Sequence, residues 1–249
     1  MDTPEKEFIR YTDPYRVYGD KAVMKIDHTL RVRKLSEDIA ESLFLPAEDI
    51  RLAAVCGLLH DIGRFEQWRQ YGTYNDSKSV DHGDLGAAVL CENNLIAGFA
   101  ETDHEVILNA VRYHNKYALP ETLNERERLF VNIVRDADKI DILRMYADGT
   151  LISRTHGTAV SPAVYRSLLR QVNIRSCDIC TKADAAALHL SFIYGMNFRR
   201  SFILLKQDEC LNQFIDRAAE EAESEELKAQ LEELRPLISG YISRKAEDL

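Results

Sequence analysis

The chain has 249 residues, a formal charge of -9, and 45% hydrophobic and 29% charged side chains. Such a chain can bury a full core, as one large domain or two small ones, and its composition is neither disordered nor fibrous. The acidic balance argues against a duplex nucleic-acid binder, which carries a basic face. It leaves room for a small anionic substrate held by a local cluster of cations. The start, Met1-Asp2-Thr3-Pro4-Glu5-Lys6-Glu7, has neither the basic flank nor the apolar stretch of a signal peptide. No apolar run reaches the roughly 18 residues that span a bilayer, so no membrane association is expected. The 5 cysteines are odd in number, so reduced thiols and a cytoplasmic location are expected. Cys177 and Cys180 form a lone C-x-x-C with no second pair to complete a zinc site, and read as two thiols in a loop.

In chain order, residues 1–20, with Pro4, Pro14 and Gly19, read as an irregular arm laid over the body. A helix follows over about 21–44. Its His28, Val32, Leu35, Ile39 and Leu43 recur at steps of 4, 3, 4 and 4, which puts His28 on the buried stripe. After Leu45-Pro46-Ala47-Glu48-Asp49, a second helix over about 50–60 is apolar nearly all round and reads as a central element, with Gly57 admitting a close neighbour. It ends in Leu58-Leu59-His60-Asp61-Ile62-Gly63-Arg64. There the periodicity breaks, and residues 66–81 read as a long polar loop, a lid or a binding loop. Its Trp68, Tyr71 and Tyr74 either stack on a substrate base or pack the loop down.

Asp81 suits an N-cap and puts His82 in the first turn of the next helix, with Leu85, Gly86, Val89 and Leu90 on one face. A helix over about 102–113 delivers His114 at its end. Another, over about 124–147, carries Val131, Val134, Asp138 and Met145 near one face. Pro162 opens a helix to about residue 172, and residues 173–183 look loop-like. Residues 188–205 are strongly apolar and suit either a core or a homo-oligomer interface, while the Glu-rich stretch 218–234 reads as a solvated helix face. No alternating strand pattern persists. The fold class expected is all-α.

One set of residues stands out against this background: His28, His60 with Asp61, His82, His114 and Asp138. Taken singly, each has a bland explanation, since a histidine on an apolar face is commonly a hydrogen-bonded core residue and Asp138 has Arg135 and Lys139 beside it. Together they come from different helices or helix ends on faces that should be buried, and adjacent buried ionisable groups are costly without a partner. Helical proteins build metal sites from such facing helices, and imidazole and carboxylate both ligate divalent cations. His104, His156 and His189 lack such company, and His104 reads as a helix-start residue.

The ordered pattern His…His-Asp…Asp on helices resembles the HD-domain metal-dependent phosphohydrolases. The resemblance covers about residues 22–145, through His28-Thr29-Leu30-Arg31-Val32, Leu59-His60-Asp61-Ile62-Gly63 and Ala137-Asp138-Lys139-Ile140-Asp141. It implies a helical-bundle HD domain with a C-terminal helical extension over about 160–249, the chain being one domain. It also implies that His28, His60, Asp61 and Asp138 bind one divalent cation. Members with two metals add two histidines between the doublet and the last aspartate, where His82 and His114 fit in order and spacing, and there Asp61 would bridge. Two specific activities do not carry over. Alarmone hydrolases have an acidic pair where this chain has Arg64-Phe65, and the HD-GYP diesterases have a Gly-Tyr-Pro segment that is missing after Tyr113-His114-Asn115-Lys116-Tyr117.

The function expected is hydrolysis of a small phosphorylated molecule such as a nucleotide, phosphomonoester or phosphodiester, by attack of a metal-bound hydroxide. Asp61 is its central residue. Arg64 matches the Lys or Arg that often follows HD-I-G and faces phosphate, and Lys139, Arg112 and Lys116 are further cation candidates. Asp136 and Asp141 flank Asp138 and could orient a ligand. Mn, Fe, Co, Ni, Zn and Mg all remain open as the metal. The alternative from another class is a metal-containing HD module that binds a ligand or regulates without turnover. A purely structural helical protein would need six unrelated coincidences.

Overall fold

In the computed structural model, residues 3–151 and 157–248 are described, and they contain helices and no strand. The all-α expectation holds. The chain divides into two compact units, Met1–Asp138 and Lys139–Leu249.

The first unit opens with helix α1, Pro4–Thr12, and a short 3-10 helix, Asp13–Tyr18. The expected irregular arm is therefore helical. Pro4 and Pro14 both stand in the first turn of their helices, where the missing N–H has no partner to lose. Thr3 caps α1, and Phe8 and Thr12 are buried. Helix α2, Asp20–Ser42, buries Ile26 and four members of the expected stripe, His28, Val32, Leu35 and Ile39, while the fifth, Leu43, is half-buried and follows the last helical residue. Helix α3, Ala47–Leu59, is buried from Leu52 to Leu59. At Gly57 a Cβ would lie 3.0 Å from the Val32 carbonyl and closer still to the Ser36 hydroxyl, so this glycine lets α2 and α3 pack closely.

Helix α4, Ile62–Tyr71, takes up the start of the expected loop, residues 66–71. Its buried face is Ile62, Phe65 and the fully enclosed Gln67, and the polar Gln67 hid that face from a hydrophobicity pattern. Gly72, at φ 64°, ends it in the left-handed conformation that favours glycine, its N–H bonded to the Trp68 carbonyl at 2.8 Å. The loop proper is 72–81, with a 3-10 turn at Asp76–Lys78. Helix α5, His82–Glu92, is capped by Asp81, whose Oδ1 accepts from Gly83 N at 2.9 Å and Asp84 N at 3.1 Å. Helices α6, Glu101–Tyr113, and α7, Glu125–Ala147, follow near their expected bounds.

In the second unit, α8 is Pro162–Leu169 and α9 is Lys182–Leu190. The apolar stretch 188–205 is divided among the end of α9, a 3-10 helix at Ser191–Gly195 and α10, Arg199–Asp208. Helix α11 is Cys210–Glu220, and α12, Glu225–Glu247, packs against α8, α10 and α11. Leu227, Leu231 and Leu234 turn inward while the glutamates around them stay outside, the solvated face expected. Cys177 and Cys180 are exposed free thiols. No helix among the described residues is long and apolar enough to cross a membrane.

Candidate metal centre

The centre is built in the first unit where the α3–α4 link, the start of α5 and the end of α6 meet α2 and α7, which carry His28 and Asp138. His60 and Asp61 form the link between α3 and α4, so the break between these helices turns both side chains inward. Gly63 makes room beside them: a Cβ there would lie 2.6 Å from Gly86 N and closer to the His82 carbonyl. The start of α5, with His82, can therefore lie against the start of α4. His114 follows the last residue of α6, and α2 supplies His28. His28, His60, Asp61, His82 and His114 are all at most 4% exposed.

The six expected ligands do converge. Asp61 Oδ2 lies 3.7 Å from both His28 Nε2 and His60 Nε2, and Asp138 Oδ1 lies 3.1 Å and 3.6 Å from the same two nitrogens. The other carboxylate oxygen, Asp61 Oδ1, lies 3.4 Å from His82 Nε2 and 3.7 Å from His114 Nε2. His28, His60 and Asp138 form one group able to hold a metal ion, and His60, Asp61 and His114 another, each with ligand atoms within 4.8 Å of one another.

The hydrogen bonds on the far side of each ring fix which nitrogen carries the proton. His60 Nδ1 meets the Gly57 carbonyl at 2.8 Å and His114 Nδ1 meets the Val111 carbonyl at 2.8 Å, and a carbonyl can only accept. His82 Nδ1 lies 2.6 Å from Asp76 Oδ2. Each ring is thus left with an Nε2 lone pair facing inward, the arrangement of metal-ligating histidines. His60 Nε2 is buried without a hydrogen-bond partner, facing two carboxylate oxygens. His82 Nε2 and His114 Nε2 point at each other across 3.0 Å. Lone pairs that close repel unless a cation or a proton lies among them, so the donor set fits a divalent ion.

The electrostatics agree. Burial alone would raise the Asp61 carboxyl, but Lys25, His60, His114 and Arg64 outweigh it and hold it well below the usual range. Burial likewise works against Asp138, and the His28 and His60 imidazoles beside it hold its carboxyl well below the usual range. Burial pushes the His60 imidazole down and His82 to about 4, which keeps both neutral. Two anionic carboxylates beside these imidazoles are a ligand set for a hard or borderline cation.

The predicted phosphate cations fall into different places. Arg64 Nη1 donates to the Tyr74 carbonyl at 2.6 Å, Asp76 Oδ1 at 2.8 Å and Gln67 Oε1 at 2.9 Å. Its Nε is buried without a hydrogen-bond partner, 3.5 Å from Asp61 Oδ1. Lys116 pairs with Asp81 at 2.7 Å and Asp84 at 2.8 Å, and Arg112 lies 3.9 Å from Asp84. Lys139, the first residue of the second unit, follows Asp138 about 100° around α7, and its ammonium sits 5.9 Å from the Phe192 ring centroid. Asp136 and Asp141 are fully buried. His104 meets the Phe99 carbonyl at 3.1 Å, a local bond at the start of α6. His189 packs 4.4 Å from the Tyr146 ring, and His156 lies outside the described residues. Trp68 and Tyr74 pack on each other at 4.8 Å, with the Lys21 ammonium 4.6 Å from the Trp68 centroid. Tyr71 is exposed.

Three residues have roles that the sequence did not show, Arg135 among them, which stood there only as a neighbour of Asp138. Lys25 donates to Asp61 Oδ2 at 2.7 Å, and its signal was the three-residue step to His28 on α2. Asp76 orients His82, and Arg135 donates to the carbonyls of Tyr113 (3.2 Å), His114 (3.3 Å) and Lys116 at the end of α6. Asp76 reaches His82 six residues on across the end of a loop, and Arg135 reaches His114 21 residues before it; neither is a step along one helix, so helical spacing held no sign of them.

Comparison with known families gives one finding: the HD domain family model matches residues 26–143. No curated protein and no solved structure gives a significant match.

Proposed function

Residues 26–143 are an HD domain, the domain of a family of metal-dependent phosphohydrolases, and from that premise we propose that this protein hydrolyses a small phosphorylated molecule at a two-metal centre. The observation that carries the proposal is the division of Asp61, with Oδ2 turned to His28 and His60 and Oδ1 turned to His82 and His114. In this reading His28, His60, Asp138 and Asp61 would hold one divalent cation, and His82, His114 and Asp61 would hold the other. When bound, such a pair supplies a nucleophile at neutral pH and neutralises charge on the phosphoryl oxygens.

The chain's own groups supply the rest. Asp61 stays ionised and fixes the two halves at one spacing. Arg64, clamped through Nη1, keeps its Nε–H next to Asp61 Oδ1, where charge develops on a phosphoryl oxygen during in-line attack. The net change is addition of water across a P–O bond: the water oxygen bonds to phosphorus, and the ester oxygen leaves with the bonding electrons and takes up a proton. Nucleotides are the proposed substrate class.

The test is phosphate release from a panel of phosphomonoesters, phosphodiesters and nucleotides by protein loaded with Mn²⁺. Metal-dependent release that is lost in Asp61→Ala, together with its metal, is the expected result. Full activity in Asp61→Ala would overturn the proposal. Thermal stabilisation by a nucleotide with no release across the panel would favour a binding module instead.

A further inference from the structure

Lys25 lies outside the ligand set, yet its ammonium is 2.7 Å from Asp61 Oδ2. That oxygen is the one turned towards His28 Nε2 and His60 Nε2, each 3.7 Å away. A lysine and the proposed ion thus lay claim to one carboxylate oxygen in a buried site, where like charges repel strongly. The other cations around the centre pair with other groups, and Arg64 Nε lies 3.5 Å from the second oxygen, Asp61 Oδ1. Arg64 is bound by Asp76, Gln67 and the Tyr74 carbonyl, and Lys116 by Asp81 and Asp84. Among the described residues, Asp61 is the one carboxylate partner of Lys25.

Lys25 also has room to move. Its side chain is 16% exposed against 3% for Asp61, so the ammonium approaches from the open flank of the cluster. The Tyr74 ring centroid is 5.7 Å from Nζ, an apolar-faced surface against which a displaced ammonium can rest. Tyr74 is itself fixed: its carbonyl accepts from Arg64 and its hydroxyl donates to the Lys21 carbonyl at 3.3 Å. The four-carbon stem of a lysine swings its charge over several Å without any backbone change.

We propose that Lys25 is a substrate-binding residue that exchanges partners. It neutralises Asp61 in the metal-free protein, yields that oxygen to a divalent cation, and then donates to a phosphoryl oxygen of the substrate. The inference rests on the metal reading above and adds to it a residue outside the HD ligand pattern. The physical logic is charge balance: once Asp61 is shared with a divalent cation, Lys25 loses its counter-ion, and a phosphate dianion entering the centre restores one.

Two affinities test it, neither of them an activity. Calorimetric titration gives Mn²⁺ affinity for the metal-free protein and inorganic phosphate affinity for the Mn²⁺-loaded protein, in wild type, Lys25→Met and Lys25→Arg. Removal of the competing charge should raise Mn²⁺ affinity about tenfold in Lys25→Met, and phosphate affinity of the loaded protein should fall about tenfold. Lys25→Arg should keep phosphate binding near wild type, which also guards against a folding defect in the methionine variant. Weaker Mn²⁺ binding in Lys25→Met would make Lys25 an anchor that orients Asp61, and unchanged phosphate binding would remove its contact with substrate; either result overturns the proposal. A wild-type protein that takes up no Mn²⁺ would overturn the metal reading itself and this inference with it. Normal loading of wild type confines any failure to Lys25.

Discussion

The two halves of the centre share Asp61 but are held in place differently. Around Asp61 Oδ2, His28 sits in the middle of α2 and Asp138 well inside α7, so the helices themselves fix these ligands. Around Asp61 Oδ1, His82 opens α5 and His114 follows α6, and both positions are secured by polar side chains. Asp76 holds the His82 ring, while Gln67 Nε2 ties the loop down through Asp76 Oδ1 (2.9 Å), Ser79 Oγ (2.9 Å) and the Val80 carbonyl (3.0 Å). Arg135 gathers the carbonyls beyond α6. Core packing secures one half and a part-buried hydrogen-bond network secures the other. The second half should therefore be the more easily lost.

The largest effect should come from the ligands themselves. Elemental analysis of His28→Ala and His82→Ala should separate the halves. His82→Ala should fall from about two metals per chain to about one, and His28→Ala should lose the ion at the half that packing secures. Equal stoichiometry in His82→Ala and wild type would dissolve the distinction.

Next in size is Asp76→Asn, which keeps the shape but removes the carboxylate that accepts from His82 Nδ1. Metal affinity of the second half should drop about 10- to 100-fold, the usual effect of losing a partner behind a ligand, with the first half untouched. Titration with two resolved binding steps reads both at once. A drop in both steps would mean that the halves are coupled through Asp61 more tightly than their supports suggest.

Arg135→Met sharpens the comparison from the side of folding. It strips donors from buried carbonyls around His114, a loss of about 2 kcal/mol in denaturant-unfolding stability. Helical content should persist while the second metal step weakens. Unaltered metal binding would show that His114 is positioned by α6 alone.

The smallest effect lies outside the centre and serves as a control. Burial pushes the His189 imidazole in the second unit down to about 4. The unfolded chain takes up this proton near pH 6.5, before the folded protein does. Stability from this group is therefore complete above about pH 6.5 and is lost as the pH falls towards 4. His189→Phe should flatten that part of the stability curve and leave the metal content as in wild type. An unchanged acid limb would remove His189 as its cause.

Much of this protein was legible from residue order. Helical periodicity placed His28 on the buried stripe of α2, Asp81 announced the cap of α5, and the order of six His and Asp residues pointed to the cluster that the fold brings together. Such signals are local, because the 3.6-residue period and the caps are properties of neighbouring residues. Pattern misled where polar residues do buried work or prolines stand at permitted positions. Gln67 made α4 look like loop because its amide is enclosed by hydrogen bonds, and Pro4 made α1 look irregular although a first turn accepts proline.

Sequence by itself determined the kind of protein: helices, a buried His/Asp set, and the ligand types that suit a divalent cation. The tertiary structure alone decided which oxygen of Asp61 faces which histidines, that Asp76 stands behind His82, that Arg135 clamps the turn carrying His114, and that Lys25 rests on Asp61. The physical reason is range. A helix is specified by contacts three and four residues apart, whereas a buried charge is satisfied by whatever donor the fold brings near, as with Lys25 and Asp61, 36 residues apart.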